Sequence, residues 1–490
     1  MALEVVAIVK HDCPVCDQVL PALDAAGVRL VSQSTAEETA EQARRLALSR
    51  TPELDADLEL SARLDPDAVP AVFLLEDGIE RDRVIGLARD RIAAVVAQTG
   101  ATLATHGLPE LRPGCASRTR DPEVAAWLAA RQARRDGRIT ARQLSLGDLE
   151  DPFEALHERG LTDGLPVVPP TPERVVAMLG HTSRDPQEVV AKVPPYGGGA
   201  TVEKVAINAV MAGCAGPELP IVLAALAAAC REEFALHGLI ATTAPAGPVV
   251  IVSGPYAQRA GMNAEINALG QGNRANSTIG RALALCIRNL GGGRPGREDR
   301  AAHGQPGKVG LAFAERLDAT APWAGLAQAR LGLTRDETGV TVFAGEAPRL
   351  VVDQLAREPG ALAAALAVGL EHVASPRQRL AWDGMLILGP EHGRVFREAG
   401  WSRERLQAEL HRLSHTRAGD LVRGAGGVAE GLAPQWVSDP DAPVAKFVAA
   451  ERILIAYTGG DAGLFSMVVG GWVAGELGSD PQSASVEAWR

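Results

Sequence analysis

An α/β fold spread over several domains follows from three observations. The apolar strand Leu3-Glu4-Val5-Val6-Ala7-Ile8-Val9 runs into His11-Asp12-Cys13-Pro14-Val15-Cys16 and then into a helical pattern containing one proline. The run from Val69 to Leu75 carries Pro70 near its head, and Gly78 then turns the chain into a partner strand through Arg83-Val84-Ile85. In the long remainder, apolar strands end in glycine turns and alternate with alanine-rich helices, which is the pattern of α/β folds. A length of 490 residues suits two to four domains.

The first of these stretches carries chemistry. Strand, C-x-x-C, helix is the context that turns two cysteines into a redox pair. A helix N-terminus supplies free N–H groups and partial positive charge, and both stabilise a thiolate. Cys13, nearest the helix start, is therefore expected to be the exposed attacking thiol. Cys16, one turn in, is expected to resolve the mixed disulfide. The alternatives are a structural disulfide and a zinc half-site, and no second C-x-x-C or suitable Cys/His pair lies nearby to complete the latter.

On these motifs, roughly residues 1–105 resemble the thioredoxin/glutaredoxin superfamily. The resemblance implies that Pro70 is a cis-proline facing the C-x-x-C, at the place where substrate binds. Residues 36–49 read as a helix with a solvated charged face, and residues 89–98 as the helix that closes this domain.

Residues 106–155 read as a linker with helices at 122–135 and from Pro152 onward. Cys115 sits there beside Arg112, Arg118 and Arg120. Those cations could lower its pKa and let it pass reducing equivalents between domains. The plainer alternative is a spectator thiol on a basic linker.

Residues 156–490 read as a large α/β domain with several candidate sites. Asp163 lies in the proline-rich segment Leu161 to Pro172, either as a turn residue or as a carboxylate held at a pocket. A helix at 202–211 presents Lys204 and Asn208, and Cys214 follows it between small residues. Cys214 is the candidate acceptor for the N-terminal dithiol, set against the ordinary role of a small buried residue. Asn273, Arg274, Asn276 and Arg281 gather at the glycine-rich start of a helix expected from Ser277, an arrangement that suits a carboxylate or phosphate. The spacing is neither a Walker loop nor a dinucleotide fingerprint, and a well-capped structural helix is the alternative.

His303, Lys308 and Glu315 border one apolar strand. Gly254-Pro255 and Gly389-Pro390 each close an apolar strand, which suggests two related halves, 156–320 and 321–490. Ligands of α/β folds gather at strand carboxyl ends, so His392, Asp461 and Ser466 are candidates. No G-x-S-x-G motif supports a serine hydrolase. A metal ion could be held through His303, His392, Glu315 or Asp461, whose separation sets no ligand spacing.

The stretches L-T-D-G-L-P-V-V-P-P-T-P-E-R-V, N-A-V-M-A-G-C and G-N-R-A-N-S-T-I-G-R-A, with the glycine-rich tail, resemble a bacterial group of thioredoxin-fused proteins. That group accompanies small selenocysteine- or cysteine-containing partners, the UGSC type. The resemblance spans most of residues 155–490 and implies redox or sulfur chemistry.

A net charge of −11 argues against a nucleic-acid surface. Six irregularly spaced cysteines do not make a secreted disulfide scaffold. With neither a leader nor an uninterrupted apolar span, the expectation is a soluble cytoplasmic protein. Apolar alanine helices are compatible with a homodimer. The expected function is a thiol-dependent redox enzyme. Its dithiol serves an anionic or sulfur-containing small molecule, draws on a cellular thiol reductant, and has a small redox protein as a further partner. One rival is a sulfur-metabolite lyase or transferase that the first domain only regenerates. The other is a non-enzymatic redox sensor that docks a partner protein.

Overall fold

In the computed structural model, which describes residues 3–147 and 149–490, the opening apolar run forms β1 (Leu3–Val9). Pro14 at the first helical position starts α1 (Pro14–Ala25). There follow β2 (Arg29–Ser32), α2 (Ala36–Arg45), β3 (Glu53–Leu54), α3 (Glu59–Leu64), β4 (Ala68–Val69), β5 (Ala71–Glu76) and β6 (Ile79–Ile85). Helix α2 has a capping box at Thr35 and Glu38 but stops at Arg45, short of the expected residue 49. Leu46 ends it, and Ala47 takes a φ of 49°, which no helix continues.

The sheet order is β3-β2-β1-β5-β6, with β1 parallel to β2 and antiparallel to β5. Ile8, Leu20, Leu23 and Phe73 are fully buried in its core. Each such side chain contributes roughly 1.5–3 kcal/mol through area removed from water.

The chain continues through β7 (Leu87–Ala88), α4 (Arg89–Ala97), β8 (Leu111–Arg112), β9 (Cys115–Ala116) and α5 (Pro122–Arg135). These belong to the first compact unit, Met1–Arg135, so the boundary falls later than the expected residue 105. The physical reason is backbone pairing. β8 bonds to β7, and β9 bonds to β4.

The second unit is Asp136–Arg490. Its first part is α6 (Pro152–Glu158), α7 (Pro172–Leu179), β10 (Val189–Val193), β11 (Gly198–Thr201), α8 (Val202–Ala212), α9 (Leu219–Ala229) and α10 (Leu236–Ala241). Next come β12 (Gly247–Ser253), α11 (Pro255–Arg259), α12 (Arg274–Cys286), β13 (Leu311–Ala314), α13 (Leu326–Leu331), β14 (Gly339–Gly345) and β15 (Arg349–Val352). Then follow α14 (Pro359–Glu371), β16 (Trp382–Leu388), α15 (Pro390–Glu398), α16 (Arg403–Leu413), β17 (His415–Arg417) and β18 (Pro443–Ala445). The last strands are β19 (Ile453–Tyr457), β20 (Phe465–Val473) and β21 (Gln482–Ser485).

One mixed sheet organises this unit, in the order β13-β12-β14-β20-β16-β19. The order reads the same from both ends. β12 lies between parallel β13 and antiparallel β14, and β16 lies between parallel β19 and antiparallel β20. A single bridge, Gly345 to Gly471, joins the two triplets. A Cβ on Gly345 would meet Val469 at 2.8 Å, so only glycine admits that approach.

The triplets also exchange strands. β15 follows β14 in sequence but pairs with β20, and β21 follows β20 but pairs with β14. A boundary at 320/321 would cut β14 from β12, its partner along the whole strand, so the two arrangements interlock rather than stand as successive halves.

The sheet curls until its edges meet. Arg316 N donates to Tyr457 O at 2.8 Å, and Tyr457 N donates to Glu315 Oε1 at 3.2 Å. Val249, Phe313, Phe343, Met385, Leu454 and Val469, one from each of the six strands, fill the enclosed core.

Candidate functional site

The dithiol in the first unit is built by the end of β1 and the start of α1. Cys13 is the N-cap residue of α1, and its Sγ accepts the Cys16 backbone N–H at 3.2 Å. The Cys16 thiol hydrogen bond is the main influence lowering the Cys13 pKa to about 6, with Cys115 adding to it against the opposing effect of burial. Burial pushes the Cys16 thiol well up, and the neighbouring Cys13 pushes it further. One cysteine is thus a thiolate at neutral pH and its partner a thiol, which is the asymmetry disulfide exchange needs. Pro70 follows Val69 through a cis peptide bond, and in its protonated form the Cys13 thiol donates to the Val69 carbonyl at 3.3 Å.

Cys13 is not exposed, contrary to expectation: its fractional exposure is 1%. The stretch expected to be a linker folds back and pairs Cys115 with Val69, beside the dithiol. Cys115 is only partly buried. Its thiol is raised, first by desolvation and then by Cys13, rather than lowered by arginines. Arg118 is spent on the Gln33 carbonyl, and Arg120 on Asp65 and Asp67.

In the second unit, the asparagines at the start of α12 are bonded to their own surroundings. Asn273 caps the helix by accepting the Asn276 N–H and donates to Gly261 O. Asn276 is buried and bonded to Asn263 and Ala268. Arg274 donates to Gly213 O. Arg281 grips both Asp163 oxygens at 2.8 Å and also the Pro166 carbonyl. Burial would raise the Asp163 pKa, but the Arg281 bonds hold it below the usual carboxylate range. Arg281 is thus committed to Asp163 as a structural clamp, while Arg274 at the helix start is exposed and, among the described residues, bonded through Nε alone. Asp163→Ala is expected to cost about 2–4 kcal/mol, because it strands Arg281 in a mostly buried place. An unchanged urea midpoint for this variant would show that the clamp carries no stability.

Cys214 also departs from expectation. It is 6% exposed, and its thiol is pushed well up by burial and by the Glu218 carboxylate. A buried neutral thiol is a poor acceptor for an incoming disulfide. His392 is fully buried. Its Nε2 donates to the Asp353 carbonyl, so Nδ1 accepts the Ser466 hydroxyl at 2.8 Å. His392 and Ser466 therefore pin α15 to β20 instead of serving solvent-borne substrate. Asp461 pairs with Arg316 at 2.6 Å. Lys204 is exposed and donates to Gly199 O, while Asn208 is buried against Asn289. Among the described residues no group of three or more His, Cys, Asp or Glu side chains could hold a metal ion. None of their helices is long and apolar enough to cross a membrane.

A cavity of about 690 Å³ does bring two candidates together, Asp163 and His303. Arg288 and the Lys308–Asp299 pair line it as well. The Arg288 Nε is buried without a hydrogen-bond partner. Arg288 was not singled out from the sequence. The only available hint was the triple glycine at 291–293, where α12 widens into a π-helical turn, Ile287–Gly291. A second cavity, of about 370 Å³, lies at the carboxyl ends of β12 and β13 against Glu315, Arg316 and Asp318.

No family model and no curated protein matches the chain. The resemblance to UGSC-type proteins therefore finds no support there. StoA from Bacillus subtilis is a partial structural match, 20% identical over 17% of this chain and 73% of its own, with a TM-score of 0.16. A secreted Mycobacterium tuberculosis disulfide oxidoreductase homologous to Escherichia coli DsbE is 20% identical over 20% of this chain and 81% of its own, with a TM-score of 0.18. A hypothetical protein from Sinorhizobium meliloti 1021 is 16% identical over 28% of this chain and 70% of its own, with a TM-score of 0.15. The thioredoxin-like fold of the first unit rests on its own strand order and on where Cys13, Cys16 and Pro70 stand.

Proposed function

We propose that the protein is a thiol-disulfide redox enzyme whose Cys13–Cys16 dithiol serves chemistry on an anionic or sulfur-containing small molecule in the large unit. The observation that carries the reading is the placing of both cysteines at one helix N-terminus beside a cis-proline, with Cys13 Sγ accepting the Cys16 N–H at 3.2 Å; the lowered Cys13 and raised Cys16 pKa directions agree with it. The cavity holding Arg288, His303 and Asp163 is the site we assign to the small molecule, with Arg288 as the group for its negative charge. A cellular thiol returns the dithiol to its reduced form. A small redox protein, as the UGSC-type resemblance suggests, is a further partner in this reading.

The test uses the full chain. Reduced protein mixed with a small disulfide is expected to form a Cys13–Cys16 disulfide, found by peptide mapping, and Cys13→Ser is expected to abolish it. Persistence of both thiols in wild-type protein under excess disulfide would sink the reading. The cavity in the large unit also favours a second reading, a lyase or transferase that the first unit only regenerates. In that case a Cys13→Ser protein would still complete one turnover.

A further inference from the structure

The segment that buries Cys13 carries a cysteine of its own. Residues 111–118 are strapped across the dithiol at several points. Leu111 and Arg112 pair with Ala88 and Leu87, and Cys115 and Ala116 pair with Val69 and Ala68. Ser117 N donates to Asp67 O, and Arg118 donates to both Gln33 oxygens. The Gln33 amide in turn donates to the buried Ser61 and Ser117 hydroxyls.

Two glycines let the strap lie this close. A Cβ on Gly114 would meet Val69 O at 2.8 Å, and one on Gly86 would meet Arg112 O at 2.8 Å. The strap is thus a fitted part of the unit, and swinging it away would break bonds on both flanks. Cys115 packs on the core cluster that contains Cys13 and Cys16, and of the three it alone is partly exposed.

We propose that Cys115 is the sulfur through which the buried dithiol exchanges with external disulfides, so that the site is a three-cysteine relay. This rests on the redox reading above and specifies how substrate sulfur enters. In the first step the Cys13 thiolate takes the proton of Cys115, and the Cys115 sulfur attacks a disulfide RSSR′, forming Cys115–S–S–R and releasing R′S⁻. The Cys13 thiol, which points at the Val69 carbonyl, then gives its proton to R′S⁻. The Cys13 thiolate attacks the Cys115 sulfur, forming Cys13–S–S–Cys115 and releasing RS⁻. Cys16 gives its proton to RS⁻ and attacks Cys13, leaving a Cys13–Cys16 disulfide and a Cys115 thiolate. Two protein thiols are oxidised, one disulfide becomes RSH and R′SH, and Cys115 ends as it began after taking a proton from solvent.

The relay is tested on the full chain with dithiobis(nitrobenzoate), whose released thiolate is coloured. In a Cys13→Ser protein, mass spectrometry is expected to find the nitrobenzoate adduct on Cys115. In a Cys16→Ser protein given one equivalent, peptide mapping is expected to find a Cys13–Cys115 disulfide. Cys115→Ser is expected to slow the first release of colour by about tenfold or more, since the remaining nucleophile is buried. A stable adduct on Cys13 in the Cys16→Ser protein, or an undiminished burst from Cys115→Ser, would overturn the relay. In that outcome a Cys13–Cys16 disulfide in wild-type protein still upholds the redox reading. Its absence condemns the redox reading itself. The Cys16→Ser mapping keeps Cys115 in place, so it decides the matter even if Cys115→Ser folds poorly.

Discussion

Alkylation of Cys13 in the reduced protein is expected to follow a titration with its midpoint near pH 6. The rate at neutral pH is a poor diagnostic. Relative to an ordinary thiol near pKa ~8.5, the thiolate population at pH 7 rises roughly 30-fold, while the lower basicity costs roughly tenfold in nucleophilicity. At about pH 5.5 the population gain exceeds roughly 200-fold and outweighs that loss about 15-fold, but burial slows any reagent's approach to Cys13, so the midpoint of the curve and not its height is the diagnostic. Cys16 and Cys115 are both raised, so neither titrates in this window. Iodoacetamide labelling with peptide-resolved mass spectrometry across pH 4.5–9 measures the curve. A midpoint above about pH 8 would leave Cys13 an ordinary thiol.

The same shift has a stability consequence. The folded pKa of Cys13 lies below its unfolded value, so its ionisation stabilises the reduced fold fully above the unfolded pKa. That contribution is lost as pH falls through about 6. Cys13→Ser removes it, so the gap between the two melting temperatures is expected to narrow in acid.

Glu315→Ala is expected to open the seam of the large sheet at a cost of about 4–6 kcal/mol. Glu315 is buried, and burial raises its pKa against the opposing Arg403. One carboxylate oxygen accepts the Ser253 hydroxyl and the Leu326 N–H, and the other accepts the Tyr457 N–H. Its removal leaves buried donors unpaired, at about 1–3 kcal/mol each, and adds a cavity. Glu315→Gln keeps the shape but aims an amide N–H at a donor, so about 2 kcal/mol is expected. Equilibrium urea unfolding of the full chain gives both numbers. A loss below about 1 kcal/mol for Glu315→Ala would mean that the edges are held without it.

The parts legible in the sequence are those set by neighbours along the chain. β1, the C-x-x-C and α1 stand as expected, because the apolar run, Pro14 and the free N–H groups of a helix start act within a few residues. Pro122–Arg135 is helical as its pattern implies. Gly254 and Gly389 do precede helices at equivalent places in the two triplets, and that repeat was visible as a short gapped echo. The strand exchange through β15 and β21 was not visible, because pairing partners leave no mark on a strand's own pattern.

The candidate sites divide along the same line. By itself the sequence determined which cysteine caps a helix and which thiol stands one turn behind to lower its pKa. Only the tertiary structure decided what reaches it. Cys115 lands beside Val69 by backbone pairing across a long loop, and Arg281 is consumed by Asp163 from 118 positions away. Burial and ion pairing depend on atoms distant in sequence, and these forces turned Cys214, His392 and Arg281 into framework while leaving Arg288 on the wall of a cavity.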